Sequence, residues 1–202
     1  MSTPPEPAGL PVLEVANASF VTDRLLVGGD LGTHDEELAV RQLEELVDAG
    51  VTHVVDTRIE WDDTAWVAER SPDIVYRHHG MDDAGQEVPP EWFDEAVGSA
   101  RAGLDSGGIV LAHCHMGVNR GPSLGLAVLL DQGWDVVEAL DAIRGARPVA
   151  WIAYADDALR WHHARQGSSD RLAGDLGRVE RWRSQNELDL VAVIRAKREA
   201  GQ

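Results

Sequence analysis

Apolar positions along this chain fall into two rhythms. Short continuous runs at 51–56, 74–76 and 108–112, bounded by glycine or acidic residues, have the length and Val/Ile content of buried strands. Between them lie longer stretches with apolar residues three and four apart. Leu38, Leu43, Leu46 and Val47 give one such face, on a helix opened by a capping box, Thr33-His34-Asp35-Glu36, and ended by Gly50. A short helix is expected over 62–69, ending near Ser71-Pro72. Pro89-Pro90 opens a helix running to residue 104, with Trp92, Phe93, Ala96 and Val97 inward. The stretch 124–130 is a further helix, Asp135 caps another ending at Gly145, and Arg147-Pro148 introduces one reaching residue 164. Residues 20–29, with Leu25-Leu26-Val27 before Gly28-Gly29, read as an edge strand and turn. Strands alternating with helices predict an α/β fold, a central, mainly parallel sheet flanked by helices. Residues 1–17 are Pro- and Ala-rich and are expected to form a disordered N-terminal arm. Residues 18–165 would hold the catalytic domain, and 166–202 a helical C-terminal extension that docks, self-associates or dangles.

The strand at 108–112 runs into His113-Cys114-His115-Met116-Gly117-Val118-Asn119-Arg120-Gly121-Pro122-Ser123, and this loop runs into a helix. Backbone N–H groups in such a loop turn inward and make a nest for an anion, to which the helix N-terminus adds. Met116 and Val118 present amides to it, Gly117 permits the turn, and Pro122 suits the first helical turn. Cys114 lies at the floor of the nest, where positive potential favours a thiolate. Arg120 can fork two hydrogen bonds onto a phosphate. A nucleophile, an anion cradle and a guanidinium in one loop point to phosphate-ester chemistry. A thiolate that displaces an alcohol from phosphate leaves an alkoxide in need of a proton. A carboxylic acid on a neighbouring loop can supply it and then act as base on water. Asp82 and Asp83 are the candidates. Arg58, past the end of the 51–56 strand, either reaches the same rim or pairs at the surface with Glu60, Asp62 or Asp63.

This stretch resembles the signature of the cysteine-dependent protein tyrosine phosphatases, His-Cys-x5-Arg. The likeness takes in the preceding strand, the Asp-bearing loop upstream and Arg147-Pro148 downstream. It spans residues 18–163, and the compact size resembles the dual-specificity branch. The resemblance implies a dual-specificity phosphatase-like fold and a cysteinyl-phosphate mechanism with Cys114 as nucleophile. Arg120 and the loop residues His115, Met116, Gly117, Val118 and Asn119 would bind phosphate, with no metal and no cofactor. Counting back from Phe93, the aromatic that opens the following helix, favours Asp83 over Asp82 as the acid. His113 would hold the loop and tune Cys114. His115 occupies a position that varies in the family and either adds positive charge or points to solvent. One position departs from the family, which carries Ser or Thr after the Arg to stabilise the departing thiolate. Gly121 stands there, so slow breakdown of the phosphocysteine is expected unless Ser123 or a water substitutes. Two other readings share the loop: a slow-turnover phosphate-recognition module, and a phosphatase of RNA 5′-triphosphate or small phosphoesters. Asn119-Arg120 resembles the loop of the metal-independent RNA 5′-triphosphatases. No Lys lies between Cys114 and Arg120, which disfavours inositol lipids.

Charge narrows the partners. With 18 basic and 35 acidic residues the formal net charge is −17, which repels nucleic acids and anionic membranes and leaves phosphorylated proteins or small phosphoesters as expected substrates. The single cysteine excludes an internal disulfide and fits a reducing compartment. Met1-Ser2-Thr3-Pro4-Pro5-Glu6-Pro7 has neither the basic start nor the apolar core of a signal peptide, and no apolar run is long enough to span a membrane, so a cytoplasmic location is expected. His53, His78, His79, His162 and His163 lack metal-ligand spacing.

Overall fold

The computed structural model describes residues 9–32 and 35–199. Strands β1 (Ala18–Phe20), β2 (Leu25–Gly28), β3 (Val51–Asp56), β4 (Val75–His78) and β5 (Ile109–His113) form one sheet in the order β1-β2-β5-β3-β4. β1 is antiparallel to β2, and the other pairings are parallel. β5 is central because both its faces are apolar. Val110 and Ala112 enter the larger core and Leu111 the smaller one, as the two-residue period of a strand requires. The larger core is covered by α3 (Pro90–Asp105), α4 (Arg120–Asp131), α5 (Val136–Ala146), α6 (Ala155–Gln166) and α7 (Ser169–Gln185), and the smaller by α1 (Glu36–Asp48) and α2 (Thr64–Arg70). A last helix, α8, spans Leu190–Glu199. In register, His113 lies beside both Gly28 of β2 and Asp56 of β3, so three parallel strand ends meet where Cys114 begins the loop. That carboxyl rim is where open α/β sheets place their ligands.

Several local expectations are corrected. The cap of α1 is Asp35, whose side chain accepts from the Leu38 amide at 3.0 Å; Thr33 and His34 lie outside the described residues. Val47 turns outward, and Gln42 takes a buried place beside Leu43 and Leu46. The single edge strand expected over 20–29 is a hairpin. The Thr22 hydroxyl accepts from the Leu25 amide, and Val21 donates to the Leu25 carbonyl, so the chain reverses, and of the hairpin's two strands β1 is at the sheet edge and β2 is internal. No helix begins at Arg147-Pro148. The Trp151 and Ala153 amides donate to the Val118 carbonyl and the Asn119 side chain, so residues 147–154 form a loop and α6 starts at Ala155. Of the expected N-terminal arm, residues 1–8 lie outside the described residues. Residues 14–16 are tied down, because their three amides donate to the Glu45 carboxylate at 2.6–2.9 Å. In the C-terminal extension, α7 docks: Val179 and Trp182 are buried in the larger core, with the indole N–H on Asp141 at 2.7 Å. Among the described residues no helix is long and apolar enough to cross a membrane.

Candidate active site

The loop from Cys114 to Asn119 is held by its carbonyls. The His113 carbonyl accepts from the Thr57 amide and hydroxyl at 2.9 and 2.8 Å, that of His115 from the Asp30 amide at 3.0 Å, and that of Val118 from Trp151 at 2.6 Å. The buried Arg147 donates Nε to the Gly117 carbonyl and Nη2 to that of Met116. Among the described residues, no amide of residues 115–119 donates to a backbone carbonyl. With the oxygens fastened outside, the N–H groups are left for the inner side of the turn, which makes an anion nest. Gly117 is required in this arrangement: its φ is +64°, and a Cβ would stand 2.2 Å from Arg147 Nη2 and 2.5 Å from the Gly29 nitrogen. The nest ends at the N-terminus of α4, whose first residue is Arg120.

Cys114 is buried at the end of β5, its amide bound to the Gly28 carbonyl at 3.1 Å. Two guanidinium groups, Arg120 and Arg147, interact electrostatically with it. Arg147 has no carboxylate partner among the described residues, and burial pushes its pKa down to about 10. At neutral pH it is therefore a full positive charge behind the loop.

Arg120 is 2% exposed, and its five N–H donors can be assigned. Nη1 donates to Glu60 Oε2 and to the Met81 carbonyl, both at 2.9 Å, and Nη2 donates to Glu60 Oε1 at 2.7 Å. Nε has no hydrogen-bond partner. The unused hydrogens, on Nε and Nη2, lie along one edge of the planar group, the fork that matches two oxygens of a phosphate. Glu60 thus orients Arg120 without occupying that edge. Burial would raise the Glu60 pKa, but the Arg120 guanidinium together with the Ile59 and Glu60 amides holds it down.

Asp83 lies at this edge. Its Oδ2 is 3.5 Å from Arg120 Nε, and its Oδ1 accepts from Asn119 Nδ2 at 2.6 Å and from the Tyr154 hydroxyl at 3.1 Å. Asp82 contributes its backbone carbonyl, bound by Gln86 Nε2 at 2.7 Å, and its side chain is exposed. The loop that carries both is anchored by the His79 and Met81 amides on the Asp56 and Thr57 carbonyls.

The remaining candidates are distributed as follows. His113 is buried, with Nε2 3.3 Å from the Tyr76 hydroxyl and 3.6 Å from Asp56. Burial lowers its pKa to about 4 despite Asp56, so it is neutral at pH 7. His115 does not point into open solvent. Its Nδ1 is 2.7 Å from the buried Asp30, and its ring lies 5.2 Å from that of Trp61. Burial raises the Asp30 pKa in spite of His115 and Arg58 beside it. Arg58 does not line the nest; it pairs with Asp63, one of its expected partners, but from a buried place and not at the surface. It is fully buried beneath the loop, with Nε and Nη2 on the two Asp56 oxygens at 2.9 Å and Nη2 also on Asp63. Burial alone would raise the Asp56 pKa; His113 and Arg58 reverse this and lower it. Arg58→Met is expected to cost about 3–5 kcal/mol, because Asp56 would be left buried without its guanidinium, and urea denaturation will measure it. Ser123, expected as a substitute hydroxyl, reaches only Asn119 Oδ1 at 3.5 Å. Gly121 packs against the strand end, where a Cβ would meet the Ala112 carbonyl at 3.0 Å and the Cys114 nitrogen at 3.1 Å. Among the described residues no group of His, Cys, Asp and Glu is arranged to hold a metal ion. Glu60 and Tyr154 were not among the sequence candidates for this site. Their one sequence signal is position, Glu60 just beyond a strand that shares the rim and Tyr154 shortly after the Arg-Pro pair.

A cysteine under an anion nest, with a forked guanidinium and a carboxylate on the opposite loop, is an arrangement that can carry thiol-based phosphoryl transfer. No family model matches the chain. Among characterised proteins it is similar to a dual specificity protein phosphatase 1B of Arabidopsis thaliana, 27% identical over 138 residues, which are 64% of this chain and 80% of that protein. It is also similar to the mouse protein phosphatase Slingshot homolog 3, 33% identical over 110 residues, 53% of this chain and 16% of that one. Among solved structures, a mouse putative dual specificity phosphatase superposes with a TM-score of 0.63 at 21% identity, covering 80% of this chain and 97% of that one. Human DUSP28 gives 0.61 at 20% identity, covering 75% and 99%. In sequence the chain is thus similar to dual-specificity protein phosphatases, and it shares the fold of solved dual-specificity phosphatases.

Proposed function

We propose that this chain hydrolyses phosphate monoesters as a dual-specificity-type protein phosphatase, through a phosphocysteine on Cys114. The carrying observation is the unused Nε–Nη2 edge of Arg120, flanked by the nest on one side and Asp83 Oδ2 on the other. The amides of the loop and that edge take the non-bridging oxygens of the substrate. The Cys114 thiolate attacks phosphorus, the bond to the alcohol oxygen breaks, and Asp83 gives that oxygen its proton. Water then attacks the phosphocysteine, Asp83 removes a proton from it, and the S–P bond breaks to return thiolate and inorganic phosphate.

The second step lacks the hydroxyl usual beside the Arg. Gly121 has none, and Ser123 turns to Asn119. Turnover is therefore limited by phosphocysteine hydrolysis. Beside the nest, Ile59 and Trp61 are exposed on either side of Glu60, and Trp61 lies against His115. This apolar rim suits the ring of an aryl phosphate on a protein. The names of the relatives and the single thiol support a phosphorylated-protein substrate and a reducing, cytoplasmic setting. The RNA reading is less favoured because the Asn119 side chain that suggested it is engaged by Asp83 and Ala153. The acidic charge also opposes RNA.

Rapid mixing with p-nitrophenyl phosphate in metal-free buffer tests the proposal. A burst of nitrophenol stoichiometric with enzyme, a slower steady state, and an acid-trapped phosphocysteine are expected. No burst and no turnover, with Arg120-dependent phosphopeptide binding, would replace it with the recognition module.

A further inference from the structure

We infer that Asn119 and Tyr154 are positioning residues that determine which oxygen of Asp83 carries the transferred proton. The inference rests on the phosphatase reading and deepens it. The orientation of the Asn119 amide is fixed, because its Oδ1 accepts from the Ala153 amide at 2.7 Å. Its other end must then be the donor, and Nδ2 lies 2.6 Å from Asp83 Oδ1. The Tyr154 hydroxyl approaches the same oxygen at 3.1 Å. Its own oxygen accepts from the Gly85 amide at 3.2 Å, so its one hydrogen is free to be donated. Of the acceptors around that hydroxyl, Asp83 Oδ1 is the nearest, ahead of Gln86 Oε1 at 3.3 Å and the Asp82 carbonyl at 3.5 Å. Burial and the adjacent Asp83 raise the Tyr154 pKa, so the phenol keeps its proton at neutral pH.

Two donors on Oδ1 leave no favourable direction for a hydrogen on that atom, because it would face one of theirs. The acidic proton is therefore carried by Oδ2. That oxygen lies 3.5 Å from Arg120 Nε, at the edge assigned to the phosphate, where the leaving-group oxygen departs. The frame behind the two donors is rigid. Ile152, between the Trp151 and Ala153 amides that bind the loop, is a buried β-branched residue held at φ +55°. Such a conformation persists only where its surroundings enforce it. Asn119, at the end of the nest, and Tyr154, next to α6, thus tie the acid-bearing loop to the phosphate-binding loop.

The test compares formation of the phosphocysteine from p-nitrophenyl phosphate and from phenyl phosphate, whose leaving group needs the proton far more. Wild type, Asn119→Ala, Tyr154→Phe, Asp83→Asn and the two double variants with Asp83→Asn are each measured in single turnover. Asn119→Ala and Tyr154→Phe are each expected to lose about tenfold more rate on phenyl phosphate than on p-nitrophenyl phosphate, a fraction of the full general-acid effect that Asp83→Asn shows. In the Asp83→Asn background either change should cost less than about twofold, since residues acting through one group are not additive. Equal losses on both substrates, or the same loss with and without Asp83, would overturn the inference. If Asn119→Ala unfolds through loss of the Ala153 contact, Tyr154→Phe, which keeps the ring, decides alone. A wild type that forms no phosphocysteine would overturn the phosphatase reading and this inference with it. A wild type that does, with variants insensitive to the leaving group, would overturn the inference only.

Discussion

Arg120→Lys is expected to lower kcat/KM for aryl phosphates by about 10³-fold while the protein stays folded. The size follows from what Lys retains. Its ammonium is still positive at the head of α4 and can pair with one oxygen of Glu60, which is partly exposed and tolerates losing the other contact. It cannot present two parallel N–H groups along a planar edge. Of the native donors, three are spent on Glu60 and Met81, and the free pair on Nε and Nη2 is what distinguishes this Arg from a point charge. A phosphoryl group spreads charge over its oxygens as it transfers, so the fork is worth more in the transition state than in the ground state. Removing a single such donor elsewhere costs about 10²–10³, and two are lost here. Steady-state kinetics with a thermal melt as control will check this. A Lys variant that keeps more than a tenth of the activity would show that the edge does not grip phosphate, and would leave Glu60 as the real partner of Arg120.

The same residues show what a single sequence reveals of such a site. The strand, loop and first turn of α4 were legible because every signal for them is local: an apolar run, a loop glycine with φ of +64°, and a Pro in the first turn. The choice between Asp82 and Asp83 was legible only as a preference, since adjacent residues differ in direction and not in spacing. The sequence makes Glu60 a neighbour of Arg58 because three acidic residues follow Arg58 within five positions, a pattern that normally marks solvated loop. Its actual partner is 60 residues away, and the meeting depends on β3 and β5 ending side by side. Arg58 was misplaced for the converse reason. Nothing in its immediate sequence shows that Asp56 and Tyr76, from two parallel strands, close over it. The start of α6 was set too early because Pro148 is a good helix opener. Tertiary bonds from residues 151 and 153 to the loop override that preference, and the 147–154 segment serves the site instead.

Cys114→Ser is expected to abolish both the burst and the steady state, by at least about 10⁴-fold, in the range seen when other covalent hydrolases lose their nucleophile. Serine fits the volume, so the nest, Arg120 and phosphate binding should persist. Two chemical properties are lost. A serine hydroxyl is not ionised near neutral pH and is a far weaker nucleophile than a cysteine sulfur. An alkoxide is also a far poorer leaving group than a thiolate, so any phosphoserine formed would not hydrolyse, and Gly121 offers no hydroxyl to help it. The variant should therefore bind phosphopeptide without consuming it. Because the chain has one cysteine, iodoacetate provides an internal check. One equivalent should alkylate the wild type with complete inactivation, inorganic phosphate should slow that reaction, and the Ser variant should take up none. A Ser variant that still gives a burst would place the nucleophile elsewhere. Alkylation that leaves activity intact would do the same, and either result would reduce the loop to a phosphate-binding nest.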